Sequence, residues 1–366
     1  MMMPPPTPSN PPTKPLPRPT TRYSTIVNII CFPDRFALTL MSVSEFLHMQ
    51  YRIALVLCLL CLSNALHAER AAFTLPNGDR YEGDVVDGAL NGSGVYEWVD
   101  GDRYEGQFSN DLPNGTGRYL WADGRRYDGE FVAGERQGYG SLIWVSGDRY
   151  EGAFLANQMH GEGTFLWGNG DRYEGSFMGN QRHGAGSMLW RSGQRYEGGF
   201  ADDTMHGQGI YRWPDGRLFK GSFVGGKRTG TGIFASAEGT LFRGFFADDQ
   251  RQGLVVKQLS SGERFLEQYS AGTLVESLRI VADSRCQFST ADGDWMVMAD
   301  ACINGLAHGS GNAVSLNGLA LIEGGSWVLG RLVKGVVIAL PSLALDIALT
   351  PVDNSPLWVS KALGND

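Results

Sequence analysis

The chain has 366 residues, of which 31 are basic and 39 acidic, and 50 are glycine. A formal net charge of −8 argues against nucleic acid and anionic membrane as partners, because both demand clustered lysine and arginine.

Residues 1–22 are crowded with proline and read as disordered. Residues 23–48 show no usable period. From Met49, one basic residue (Arg52) precedes an uncharged apolar run, Ile53 to Leu62, and then small residues. That order is the anatomy of a secretory signal peptide cleaved after Ala65 or Ala68. The run is too short to span a bilayer, which takes about 20 residues. The expectation is a true start at Met49, with residues 1–48 untranslated, residues 49–68 a signal peptide, and a periplasmic or secreted mature chain. The rival is a signal-anchor retained at the membrane. The surroundings of Cys58 and Cys61 do not resemble a lipoprotein box. Without residues 1–68 the chain keeps 26 basic and 37 acidic residues, a net of −11.

Export also sets the redox compartment. Cys31, Cys58 and Cys61 fall in the removed portion, which leaves Cys286 and Cys302 as an expected disulfide. A loop of about 15 residues makes such a bridge worth about 3 kcal/mol. A metal pair or a redox couple would need further ligands or Cys-x-x-Cys spacing.

Between Tyr81 and Phe242 one pattern recurs every 23 residues, with its leading aromatic at Tyr81, Tyr104, Tyr127, Tyr150, Tyr173, Tyr196, Phe219 and Phe242. A worn ninth copy begins at Phe265. Such a period marks an array of stacked supersecondary units. Each copy carries an Asp-Gly, Asn-Gly or Ser-Gly pair, as at Asp100-Gly101 and Asn169-Gly170, which suits a type I′ hairpin turn. A second turn follows about ten residues on, at Asn110-Asp111, Ala133-Gly134, Gly179-Asn180 and Gly225-Gly226. Two turns leave two short strands and no room for a helix, so the unit is a β-hairpin. Alternation puts Tyr150, Gly152 and Phe154 on one face, and Gly161, Gly163, Phe165 and Trp167 together on the next strand. A second ladder runs through Trp98, Trp121, Trp144, Trp167, Trp190 and Trp213. Glycine beside an aromatic leaves a slot for the ring, so the rings are expected to lie over the glycines. The functional alternative is an aromatic stripe that binds a ligand.

The Tyr-x-Gly-x-Phe-x-x-Gly/Asn-x-x-x-Gly-x-Gly pattern resembles the MORN repeat over residues 73–276. The resemblance implies an all-β fold, an elongated single-layer antiparallel sheet of tandem hairpins. It also implies a scaffold or interaction module that often dimerises and gains enzymatic activity only through an appended domain. Copies seven and eight depart from the pattern, with Phe219-Lys220-Gly221 and Phe242-Arg243-Gly244 in place of Tyr-Glu/Asp-Gly.

Three further patterns run along the array. Arg80, Arg103, Arg126, Arg149, Arg172 and Arg195 sit two residues from acidic groups, as expected for cross-strand ion-pair rows. His160, His183 and His206 fall in register, but neighbouring copies are about 9–10 Å apart, too far to share a zinc ion. Asn91, Asn114, Gln137, Thr229 and Gln252 hold the same position elsewhere, so a hydrogen bond to the adjoining loop explains the ladder. Leu120, Ile143, Leu166 and Leu189, with Val132, Leu155 and Met178, form an apolar patch on the face expected to be solvated. Such a patch marks an interface, with the C-terminal region, a second copy or another protein as its cover.

From residue 277 the chain is β-rich, with a hairpin at Asn317-Gly318 and echoes of the repeat at His308–Gly311 and Ile322–Gly324. It is expected to cap the open edge of the array. No nucleophile elbow, zinc-protease helix or phosphate loop occurs. The reading is a non-catalytic scaffold without cofactor, metal or catalytic residue, binding a protein or a second copy of itself. The alternatives are a lipid or glycan binder using the aromatic ladder, and an enzyme seated in residues 277–366.

Overall fold

The computed structural model describes residues 69–281, 286, 288–290 and 293–342. The proline-rich stretch and the signal-peptide stretch lie outside the described residues. Every regular element among those described is a strand. Nineteen of them, from Glu69–Thr74 to Thr273–Arg279, form one antiparallel sheet in which sequence neighbours pair. Six more form a separate sheet between Ser289 and Ala339. The chain divides into two compact units. The first holds the described residues up to Pro214 with Val224–Gly226; the second holds Asp215–Phe223 and the chain from Lys227.

In the first unit the fourth copy is representative. Strands Arg149–Leu155 and Gln158–Leu166 pair with Tyr150 opposite Phe165 and Gly152 opposite Gly163. The next strand, Arg172–Met178, continues the register with Gly175 opposite Gly163. Glycines therefore line up across strands, and the rings of the same face lie over them. A Cβ built on Gly163 would fall 2.5 Å from Tyr150 Cε2 and its hydroxyl. The buried Tyr150 hydroxyl donates to the Ala153 carbonyl at 2.9 Å.

Two details differ from the expected geometry. In the Asp-Gly turns only the glycine has positive φ, as at Gly101 (φ 98°), and its N–H donates to the Trp98 carbonyl at 2.9 Å. This is a type I turn closed by a glycine bulge. The I′ geometry belongs to the other turn, where both central residues are left-handed: Asn110 and Asp111 (φ 50° and 68°) and Gly225 and Gly226. Second, a bulge between Gly152 and Phe154 leaves Gly161 left-handed (φ 62°), its Cβ direction facing Ala153. Gly161 therefore does not share the ring face with Gly163.

In the second unit the small sheet lies over strands Gln250–Gln258 and Arg264–Ser270. Leu254, Val256 and Leu266 are buried with Met296, Val314, Leu321 and Leu340. A second cluster unites Cys286, Phe288, Trp295, Ile322 and Trp327. The layer is thus doubled here, where a single layer was expected. The small sheet covers a face and not an edge: the last strand of the long sheet, Thr273–Arg279, is exposed at every residue. The cause is that Leu254, Val256 and Leu266 stand on the outward face, where the fourth copy has the polar Glu162, Thr164 and Glu151. The small sheet reuses repeat geometry. Ser310 N donates to Asp300 Oδ2 at 2.9 Å, as Ser93 N does to Asp84 Oδ2 at 2.8 Å. The hairpin around Asn317-Gly318 forms, with Gly318 N bonded to the Ser315 carbonyl at 2.8 Å. Cys286 and Cys302 are joined as a disulfide with Cα atoms 5.2 Å apart.

Candidate interaction surface

The inward face of the repeats is closed. Tyr104, Tyr127, Tyr150, Tyr173 and Tyr196 are fully buried, and Tyr81 nearly so. Tyr104, Tyr127, Tyr150 and Tyr173 each stand edge-on to the Phe of their own copy and of the next, as Tyr150 does to Phe154 (5.2 Å) and Phe177 (5.0 Å). Trp98, Trp121, Trp144, Trp167 and Trp190 are buried as well and Trp213 half-buried, in a second column such as Trp98–Tyr119 (5.3 Å). Burial pushes the hydroxyl of Tyr211 up to about 12, and those of Tyr104, Tyr127, Tyr150, Tyr173 and Tyr196 further in the same direction. The ladder therefore offers no accessible rings to a glycan or a lipid. The packing reading holds and the aromatic-stripe reading does not.

Three sets of bonds stitch consecutive copies. The turn aspartates reach into the next copy: Asp102 accepts from the Tyr119 hydroxyl (2.8 Å) and from Ala122 N (2.9 Å), and Asp79 does the same for Tyr96 and Val99. The Asn and Gln members of the polar ladder bond the adjoining turn as expected, with Asn91 Oδ1 accepting from Asn110 N and Gln137 Oε1 from Ala156 N, but the buried Nδ1 of His183 has no partner among the described residues. The third set was not anticipated. Arg136 and Arg182 are fully buried among rings, with Arg182 over Trp167 (5.4 Å), Tyr173 and Phe200 (both 5.8 Å). Each reaches a turn residue 21 positions on: Arg136 to Asn157, Arg182 to Asp203 at 2.9 Å and Arg228 to Asp249 at 3.0 Å. Desolvation lowers Arg136 to about 10. Their 46-residue spacing, one in every second copy, was visible in the chain, as were the Asn or Asp partners.

The outward face carries the remaining chemistry. The arginine ladder forms ion pairs along the strand, between residues i and i+2: Arg103–Glu105 at 2.8 Å, Arg172–Glu174 at 2.9 Å and Arg195–Glu197 at 2.6 Å, with Arg149–Glu151 likewise; Arg103 also pairs across strands, with Glu97 at 3.5 Å. Extended backbone puts i and i+2 on one face, within reach of these long side chains. The apolar ladder interleaves with those arginines. Arg126 lies between Leu120 and Ile143, Arg149 between Ile143 and Leu166, and Arg172 between Leu166 and Leu189. Leu166 and Leu189 are 43% and 38% exposed, while Leu120 and Ile143 are half-buried. Val132, Leu155 and Met178 are exposed at the opposite strand ends, opposite Glu135, Gln158 and Gln181. Six residues of strand, about 20 Å at 3.3 Å each, separate the two rows. They are two apolar rows, not the single patch that their shared face suggested.

The hairpin register, the ring-over-glycine face and the period coincide in a family model for the MORN repeat, which matches residues 81–103, 104–125, 127–149, 150–172, 173–195, 196–216 and 219–241. The chain is a MORN-repeat protein. No curated protein sequence matches it. Among solved structures, this MORN-repeat protein is similar to the TCP domain of Drosophila melanogaster SAS-4 in complex with a proline-rich motif of Ana2. The identity is 13% and the TM-score 0.23, covering 39% of this chain and 83% of that one. The TCP10 domain of Danio rerio CPAP, in complex with a STIL peptide, matches at 13% identity and a TM-score of 0.22, covering 57% and 98%. Similarities at this level carry no argument about fold or function.

Proposed function

We propose that this MORN-repeat protein is a non-catalytic scaffold that holds a protein partner in the periplasm or the extracellular space. The observation that carries the reading is the division of labour between the two faces. The inward rings are closed by their own copies, and exposed Leu166, Leu189, Val132, Leu155 and Met178 recur at fixed intervals on the outward face. Regularly spaced apolar side chains among ion pairs suit an extended protein surface of matching repeat, including a second copy of the chain. The disulfide supports an oxidising compartment, in keeping with the leader-like run after Met49.

The test compares wild type with Leu166→Glu and Leu155→Glu, one in each row. Light scattering reads self-association, and capture from the envelope fraction reads a heterologous partner. Loss of either complex in a variant with unchanged circular dichroism supports the scaffold. Unchanged mass and unchanged capture in both variants refutes it.

A further inference from the structure

In the second unit the charge pattern of the outward face is reversed. Where the first six copies carry an acidic residue before the glycine, copies seven and eight carry Lys220 and Arg243. The residue two places before Arg243, an arginine in the first six copies, is Leu241. The ninth copy restores the arginine at Arg264, but two places on it has Leu266 instead of an acid. Register then gathers these residues. Gln258 lies between Leu241 and Arg264 on neighbouring strands, and Val256, two residues away on the same face, lies opposite Arg243. The turn of the small sheet closes over them: Gly318 faces Val256 and the Arg264 side chain.

The two arginines are held but not neutralised. Arg243 donates Nη1 to Gln258 Oε1 at 2.9 Å, and Arg264 donates Nη1 to the Leu316 carbonyl at 3.0 Å. Both acceptors are uncharged. The Nε of each is buried and, among the described residues, has no acceptor. Arg243 is 7% exposed, whereas Arg264 is half-buried and opens to solvent. Burial lowers the Arg243 pKa, and the nearby Arg264 charge lowers it further. The buried Arg182 has Asp203 and the outward Arg195 has Glu197, while the buried Arg136, bonded to the uncharged Asn157, lies over the rings of Trp121, Tyr127 and Phe154. Two guanidinium groups near enough for the charge of one to act on the other, each with an orphaned Nε and no ion-pair partner among the described residues, lack the counter-charge that buried cations need.

We propose that Arg243, Gln258 and Arg264 form a binding site for an oxyanion, a carboxylate or phosphate group on a ligand that enters past Arg264. The guanidinium fork matches the paired oxygens of either group. Two such forks supply the charge complement, and the Gln258 amide orients Arg243 toward the shared position. The site stands independently of the partner reading above, since it involves none of the apolar rows.

The experiment is calorimetric titration of the full chain at low ionic strength, where charge contacts are least screened, with orthophosphate in one arm and succinate in the other. Saturable binding of one anion per chain is expected in at least one arm, and the arm that binds names the ligand group. Arg264→Gln should weaken it by about tenfold or more, the worth of one charge-assisted bond. Arg195→Gln, on the same face with an acid partner, should leave it unchanged. Because Arg243→Gln alters a buried position, its folding is checked by circular dichroism. The independent readout is a rise in wild-type Tm with the same anion, absent in Arg264→Gln. Failure of both anions to bind saturably, or binding that survives Arg264→Gln undiminished, overturns the proposal.

Discussion

Gly163→Ala is the sharpest probe of the ring-over-glycine face. The three heavy atoms nearest to a Cβ at this position all belong to the Tyr150 ring, at 2.5–2.7 Å. Carbon atoms prefer about 3.5–4.0 Å, so the ring must lift by about 1 Å. Lifting it breaks the Tyr150 hydroxyl bond to Ala153, worth about 1 kcal/mol. It also loosens the edge-on contacts to Phe154 and Phe177, each worth about 0.5–1.5 kcal/mol. Against this loss, alanine restricts the unfolded chain by about 0.4–1 kcal/mol. The expected net cost is about 2 kcal/mol, in the range of core overpacking. Equilibrium urea unfolding of wild type, Gly163→Ala, Tyr150→Ala and the double variant closes a mutant cycle. With the ring gone, the added methyl should cost less than half as much. An equal cost in both backgrounds would refute the slot argument and leave strand propensity as the cause.

Two other outcomes follow from the buried charges and hydroxyls. Arg182→Ala leaves Asp203 without its buried partner and should cost about 3–5 kcal/mol, whereas Arg182→Met with Asp203→Asn copies the natural Met159–Asn180 pair and should stay within about 1 kcal/mol of wild type. Denaturant midpoints of the two variants decide this, and equal losses would contradict it. At alkaline pH the tyrosine ladder sets the limit. Its folded pKa values are raised above the ordinary 10.0, to about 12 for Tyr211 and Tyr269. The stability they confer is thus fully present below pH 10 and lost as pH rises through the folded values, by about 1.4 kcal/mol per pH unit for each tyrosine that titrates. Unfolding and the absorbance of the buried tyrosinates should therefore appear together, over and above any signal from the exposed Tyr139; ladder tyrosinate formed while the chain is still folded would show the rings to be accessible.

The period alone determined the hairpin, its length and the facing of ring and glycine at Gly152 and Gly163, though not at the bulged Gly161. Local sterics decide all three, since a two-residue alternation and a glycine beside a ring leave the strand one way to bury its aromatics. The Cys286–Cys302 pairing was legible because these are the two cysteines that follow residue 68 in the chain. Tertiary structure decided what depends on register between copies. Leu120, Ile143, Leu166 and Leu189 read as a continuous apolar ladder in the chain, and only strand pairing inserts Arg126, Arg149 and Arg172 between them. The burial of Arg136 and Arg182 depends on rings from neighbouring copies and on turn residues 21 positions away. The seat of the small sheet was equally hidden: Leu254, Val256 and Leu266 become a covered face only when Val314 and Leu321, 48 to 67 residues on, come down upon them.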